Sequence, residues 1–351
     1  MATADLRVGP EHEALHAPSA DPLWSESFYL NFSDRRGVLG GFTRIALHPT
    51  RNESAGLLCV YLRGGGVGLA VTSDRLAQSD DRAVRAGALV HTRVASLNHW
   101  RISYDGELQI FADPSRVPDQ LRPDTPSPPR CRIQLALDAT GLHAPFFYPD
   151  YRKVAAGPPY QSRGPLGLAR TLKRIIRRPG EIVSALNMRK GRHYEQSMRV
   201  GGVMVVDGER LELDGTGHRD HSWGPRDWAP SERWRWLTGQ MDGLAFNAMY
   251  LTIAGTHVTN GYVWSGDRCA PVDDLRLEST FDDTGLAGRT VSLHLSAGGA
   301  TYAIAGDVLI NVPLPISGDR FTTMYNVGRT RYRCGDRVGY GVAEFLERLD
   351  P

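Results

Sequence analysis

The stretch HRDHSW, His218 to Trp223, places two imidazoles, a guanidinium, a carboxylate, a hydroxyl and an indole in six positions, and GPRDW follows at once. In an extended strand alternate side chains point to opposite faces. His218, Asp220 and Ser222 then share one face, and Arg219, His221 and Trp223 share the other. The upstream stretch HYEQSM divides in the same way, with His193, Glu195 and Ser197 on one face. A hairpin-like connection of about twenty residues would lay both stretches in one sheet and bring His193 or Glu195 beside Asp220 or His221.

A group of this kind suits proton transfer. A carboxyl in an aromatic-walled cavity has its pKa raised because desolvation disfavours the anion, so it can stay protonated and act as a general acid. An Arg or His beside it pulls the other way, and the neighbours decide the role. The candidate catalytic residues are therefore Asp220, His221, His193, Glu195 and Asp227. Arg219 and Arg226 are expected to orient carboxyl groups, and Trp223, Trp228, Trp236, Tyr250 and Trp264 to line a substrate. Five of the seven Trp fall between 223 and 264, and an aromatic wall stabilises a carbocation through its π face.

The same residues also have purely structural readings. Arg219, Asp220, Arg226 and Asp227 can pair as a buried ionic clasp between domains, and any one Trp can simply fill a core. His193, His218, Asp220 and His221 are metal-ligand types, but in a Gly-flanked extended segment their rings diverge, and no metal and no cofactor is expected. No Gly-rich phosphate loop precedes a helix and no GxSxG elbow occurs, so nucleotide binding and serine-hydrolase chemistry lack support.

Positioning these groups falls to β-strands. From Trp24 the chain alternates apolar and polar residues in short runs punctuated by Gly, Asp and Asn, the pattern of antiparallel sheet, with Asp105-Gly106 and Asp207-Gly208 as hairpin signals. Two successive series of about seven to ten strands favour two barrels or sandwiches. The expected organisation is a flexible arm over 1–20, a first β domain over 21–164, a helical linker over 165–190 and a second β domain over 191–351 carrying the HRDHSWGPRDW motif. Within the linker, residues 168–178 form a basic helix, read as a solvated linker with at most weak contact to a membrane surface.

The 351 residues suit two domains, and a formal net charge of +2 points to no nucleic-acid partner. Four dispersed cysteines, Cys59, Cys131, Cys269 and Cys334, form no CxxC pair. The N-terminus carries no apolar signal segment and no run is long enough to span a membrane, so a cytoplasmic location is expected.

The segment HYEQSMRVGGVMVVDGERLELDGTGHRDHSWGPRDW, with WSESFYLNFSD upstream and GYGVAEF near the end, resembles the hydroxyneurosporene synthase (carotenoid 1,2-hydratase) and AttH-like superfamily in its poorly characterised bacterial branch. The resemblance runs from about Trp24 to Glu344 and centres on GHRDHSWGPRDW. It implies two tandem lipocalin-like antiparallel β-barrels and cofactor-independent chemistry, hydration, cyclisation or pericyclic closure, on an apolar isoprenoid or polyketide-like substrate. Position by position, it places Arg219, Asp220, His221, Trp223, Arg226, Asp227 and Trp228 in the site, with His193 and Glu195 on the preceding strand. The basic helix has no counterpart in the carotenoid enzymes. The expected activity is a hydratase or cyclase in which Asp220 protonates an alkene, with a non-catalytic lipid or terpenoid binding protein and a shape-driven pericyclase as alternatives.

Overall fold

The computed structural model describes residues 8–76, 82–122, 124–148, 191–229, 231–253, 256–318 and 321–349. The alternating segments form nineteen strands. The first eleven are β1 (Trp24–Asp34), β2 (Gly40–His48), β3 (Glu53–Tyr61), β4 (Val67–Arg75), β5 (Ala83–Ala86), β6 (Leu89–Ala95), β7 (His99–Phe111), β8 (Arg130–Gly141), β9 (Phe146–Phe147), β10 (Arg192–Val206) and β11 (Glu209–Pro225). They make one antiparallel sheet in the order β4-β3-β2-β1-β11-β10-β8-β7-β6-β5, with β9 added on β10. Val67–Leu69 of β4 also pair with Gln109–Phe111 of β7, so the sheet curls back onto itself.

The remaining strands are β12 (Ser231–Met241), β13 (Leu244–Ile253), β14 (Thr256–Ser265), β15 (Arg268–Phe281), β16 (Gly288–Ala297), β17 (Ala300–Gly318), β18 (Phe321–Cys334) and β19 (Arg337–Arg348). These eight close a barrel in simple sequence order. The all-β architecture with lipocalin-like barrels is as expected. Among the described residues no helix is long and apolar enough to cross a membrane.

Each barrel buries its own interior. Phe28, Leu30, Phe32, Ile102, Leu135 and Met198 belong to the first core, and Leu237, Phe246, Leu293 and Phe345 to the second. The outward faces of β1 to β4 meet the second barrel through a third apolar cluster, in which Phe42, Tyr61 and Leu69 pack with Val312, Val327 and Val342. A polar seam continues from it, where Asn31 donates to Thr238 at 3.2 Å and Gln240 donates to the carbonyl of Met198 at 3.0 Å.

Two expectations about organisation change. Residues 192–225 do not open the second barrel. As β10 and β11 they fill the gap between β1 and β8 of the first, and the chain passes to the second barrel only after Pro225. The Pro-rich and basic stretch that suggested a boundary is flanked on both sides by strands of one sheet. The expected linker helix, with its basic face at 168–178, lies outside the described residues. The arm also differs, since over residues 8–16 it packs into the first barrel, with a short 3-10 turn at Pro10–Glu13 and a Glu13 only 2% exposed.

The two hairpin signals also part company. Asp207 and Gly208 take φ of 47° and 85° in the turn joining β10 to β11, whereas β7 runs straight through Asp105-Gly106. Gly106 is needed there for space, because a Cβ would stand 2.6 Å from the Tyr104 hydroxyl.

Candidate active site

Cross-strand register builds the site. One rung of the first sheet reads Arg44, Tyr29, Asp220, Glu195, Phe146 across β2, β1, β11, β10 and β9. The next rung on the same face brings Ser27, Ser222 and His193 together. On the facing wall of the second barrel, Trp236 of β12 lies opposite Glu344 of β19 and Met249 of β13. The seam between the two walls therefore collects three carboxyls, Asp220, Glu195 and Glu344, among aromatic rings.

Glu195 is fully buried. Its Oε2 lies 2.7 Å from His218 Nε2, its Oε1 accepts from Trp236 Nε1 at 2.9 Å, and His193 Nε2 stands 3.6 Å away. Burial pushes this carboxyl up, but hydrogen bonds from His193 and His218 outweigh it and hold it below the ordinary carboxylate range. Beyond His218 a polar chain continues, with Nδ1 3.3 Å from the Tyr262 hydroxyl, which is 2.9 Å from Ser197 Oγ.

The other two carboxyls move upward. Glu344, 4% exposed, is pushed up to about 8 by burial, helped by Asp220 and Glu195, while the Tyr325 and Tyr29 hydroxyls facing it pull the other way. Asp220, half-buried, is raised by burial and by Glu195, against His193 and Arg226. The Tyr29 hydroxyl is buried with no partner at hydrogen-bond geometry among the described residues, and its ring meets Trp236 edge-on at 5.5 Å. Arg44 donates to Ser27 at 2.9 Å. The outcome is one carboxylate held anionic beside two carboxyls held toward the neutral acid, the separation that assigns acid and base roles.

The opposite face of β11 carries a second polar group inside the mouth of the first barrel. Arg219 donates to Glu13 at 2.7 Å and to Gln196 at 2.8 Å, with its guanidinium 5.0 Å from the Tyr194 ring centre. Burial works to raise the Glu13 carboxyl, yet Arg219 and the Tyr194 hydroxyl outweigh it and hold it low. His221 Nε2 lies 2.9 Å from Glu26, and Trp223 stacks on His16 at 3.9 Å.

The expected site thus divides. The structure brings Asp220, Glu195, His193 and Trp236 together, with Arg226 among the charges acting on Asp220. Arg219, His221 and Trp223 lie on the far side of the sheet, so the expected roles of Arg219 as orienter, His221 as base and Trp223 as shield beside Asp220 are corrected by the period of two along β11. Tyr250 lies apart from this group. Its rung, Arg235 and Phe345, faces the interior of the second barrel, and its hydroxyl lies 2.8 Å from His257. Asp227 accepts from the Ala229 N–H at 3.0 Å in the connection to β12, Trp228 packs on Trp234, and Trp264 stacks with His143.

Sequence reading missed Tyr29, Arg44, Tyr262, Tyr325 and Glu344. Signals were present for two of them: Arg44 interrupts the apolar strand GGFTRIALH, and Glu344 sits alone in GVAEFL. Among the described residues, two groups of metal-ligand type bring their atoms within 4.8 Å of one another, His193 with Glu195 and Asp220, and His16 with Glu26 and His221. In the first, His218 and Trp236 already occupy both Glu195 oxygens.

Fold and site together define an all-β protein of two barrels with a buried, carboxyl-rich seam between them. The chain belongs to a domain family of unknown function (DUF7064), whose model matches residues 9–348. No curated protein matches it in sequence. Among solved structures it is similar to a candidate AttH from Nitrosomonas europaea, with 12% identity, TM-score 0.62 and 98% of each chain covered. It is also similar to kievitone hydratase from Nectria haematococca, with 11% identity, TM-score 0.53 and coverage of 98% of this chain and 94% of that one. CghA, a third, is 11% identical with TM-score 0.53, covering 96% and 94%. At this identity the likeness shows the two-barrel fold alone.

Proposed function

We propose that the protein is a hydratase or cyclase that acts by proton transfer on an apolar, alkene-containing small molecule bound at the seam between the barrels. The observation that carries this reading is the split of the carboxyls, with Asp220 and Glu344 displaced toward the neutral acid and Glu195 toward the anion on facing rungs. Asp220, the half-buried one, gives its proton to the alkene carbon. The rings of Trp236 and Tyr29 face the resulting cation. In hydration, water adds to the cation and its surplus proton passes to the Glu195–His218 pair; in cyclisation, the same pair removes a proton from the neighbouring carbon. Glu344 keeps the local charge low, and the proton gained by the Glu195–His218 pair returns to Asp220 by way of Glu344, which restores the starting state. The fold likeness to a kievitone hydratase agrees with hydration but does not choose the substrate.

The test begins with native mass spectrometry of the protein from its own host and extraction of any bound molecule, followed by turnover assays of that molecule and its alkene relatives. Wild type should form product and Asp220→Asn, folded by circular dichroism, should form none. An Asp220→Asn variant that turns over normally would overturn the assignment. A ligand held with equal affinity by both proteins and never converted would identify a binding protein instead.

A further inference from the structure

We propose that the mouth of the first barrel holds a second site, for a divalent first-row transition ion such as Zn2+, ligated by His16 Nδ1, Glu26 Oε1 and His221 Nε2. The three ligands come from three parts of the chain: the docked N-terminal segment, β1 and β11. Glu26 lies opposite Trp223, and Phe28 opposite His221, so the carboxylate and the imidazole sit diagonally on one face of one sheet. His16 Nδ1 is 2.8 Å from Glu26 Oε1, and His221 Nε2 is 2.9 Å from the same oxygen. All three atoms lie within 4.8 Å of one another. A tetrahedral ion bonded at about 2.1 Å to each requires separations of about 3.4 Å, which a small tilt of the rings supplies.

The proton inventory around His221 is the independent argument. Glu13 receives Arg219 at 2.7 Å and Trp100 Nε1 at 3.0 Å, so it is an acceptor, and Tyr194 gives its single hydroxyl proton to it. The Tyr194 oxygen is left to accept, and His221 Nδ1, 3.1 Å away, is the donor. In a neutral imidazole that leaves Nε2 as a bare lone pair aimed at a carboxylate oxygen. Two electron-rich atoms at 2.9 Å need a cation between them. A hydrogen-bonded distal nitrogen with the other nitrogen bare is the outer arrangement that orients metal-binding histidines. His16 is less constrained, because His12 Nδ1 lies 3.3 Å from its Nε2 and either can donate. The ligand set of two imidazoles and one carboxylate suits Zn2+ and its neighbours rather than Ca2+ or Mg2+. With Glu26 and His221 each 1% exposed, the ion would enter past His16, whose side chain is 18% exposed, and would pin the N-terminal segment over the barrel mouth.

The test uses full-length protein stripped with a chelator and titrated with Zn2+ by calorimetry, then with Co2+ by visible absorption. The expected result is one ion per chain and a Co2+ spectrum of nitrogen and oxygen coordination. His16→Ala, outside the barrel strands, and Glu26→Gln should lose stoichiometric binding. Tyr194→Phe should bind ~10–100-fold more weakly through loss of the outer hydrogen bond, and Asp220→Asn should bind as wild type. Nitrogen-15 NMR with and without Zn2+ covers the competing cation: a proton that stays on His221 Nε2 when Zn2+ is added, or no stoichiometric ion at all, overturns the site. So does binding that survives both ligand substitutions, or that disappears in Asp220→Asn.

Discussion

Glu344 allows the seam to be tested without knowing the substrate. Its carboxyl is displaced from 4.5 to about 8, which at about 1.4 kcal/mol per unit amounts to roughly 5 kcal/mol. The sign follows from which form the fold accepts. The native site accommodates the neutral acid, while in the unfolded chain Glu344 ionises near its ordinary value. Stability from this group is therefore intact below about pH 4.5, falls as pH rises through the window from 4.5 to 8, and is lost above it. Glu344→Gln keeps the shape and removes the ionisation. Urea unfolding of both proteins from pH 5 to pH 8 cancels the titrations they share. The variant should gain on wild type by about 1.4 kcal/mol per pH unit, on the order of 4 kcal/mol across the range. Parallel stability profiles would refute the claim that this carboxyl is held neutral by burial between the barrels.

Three further outcomes follow from the geometry. Trp236→Phe leaves Glu195 Oε1 without its indole donor and should cost ~1.5–3 kcal/mol in urea unfolding, the value of a hydrogen bond to a charged group. Glu13→Ala strands the buried Arg219 cation and should cost ~3–5 kcal/mol, with limited proteolysis then cutting within residues 8–20. Gly341→Ala would set a Cβ 1.9 Å from the Thr238 carbonyl, forcing β12 from β19 and separating the Trp236–Glu344 rung. A lower urea midpoint and quenched or shifted Trp fluorescence should report it.

Much of the fold was legible because strands write themselves in a period of two. That period correctly divided HRDHSW into two faces and offered His193 or Glu195 as the neighbour of Asp220 or His221, and the register sets Glu195 opposite Asp220. It could not say that the faces belong to different compartments, the inter-barrel seam and the mouth of the first barrel, so Arg219 and His221 were grouped with Asp220. The domain boundary was misplaced because composition marks a long irregular stretch, not which strands pair across it. Glu13 and Glu26 were invisible for a related reason. Their partners Arg219 and His221 lie 206 and 195 residues away, and only the docking of the N-terminal segment and the pairing of β1 with β11 bring them together. Asp105-Gly106 shows the limit of a dipeptide signal, since a glycine required for the Tyr104 ring reads the same as one required for a turn.

The central claim is that a protonated carboxyl, Glu344, persists at neutral pH in the seam, and infrared difference spectroscopy measures this directly. A pH titration in light and heavy water should show a protonated-carboxyl band at pH 7, shifted by deuteration and lost in Glu344→Gln. A wild-type spectrum with only ionised carboxylates at pH 7 would contradict the account, because an acid already ionised has no proton to give an alkene.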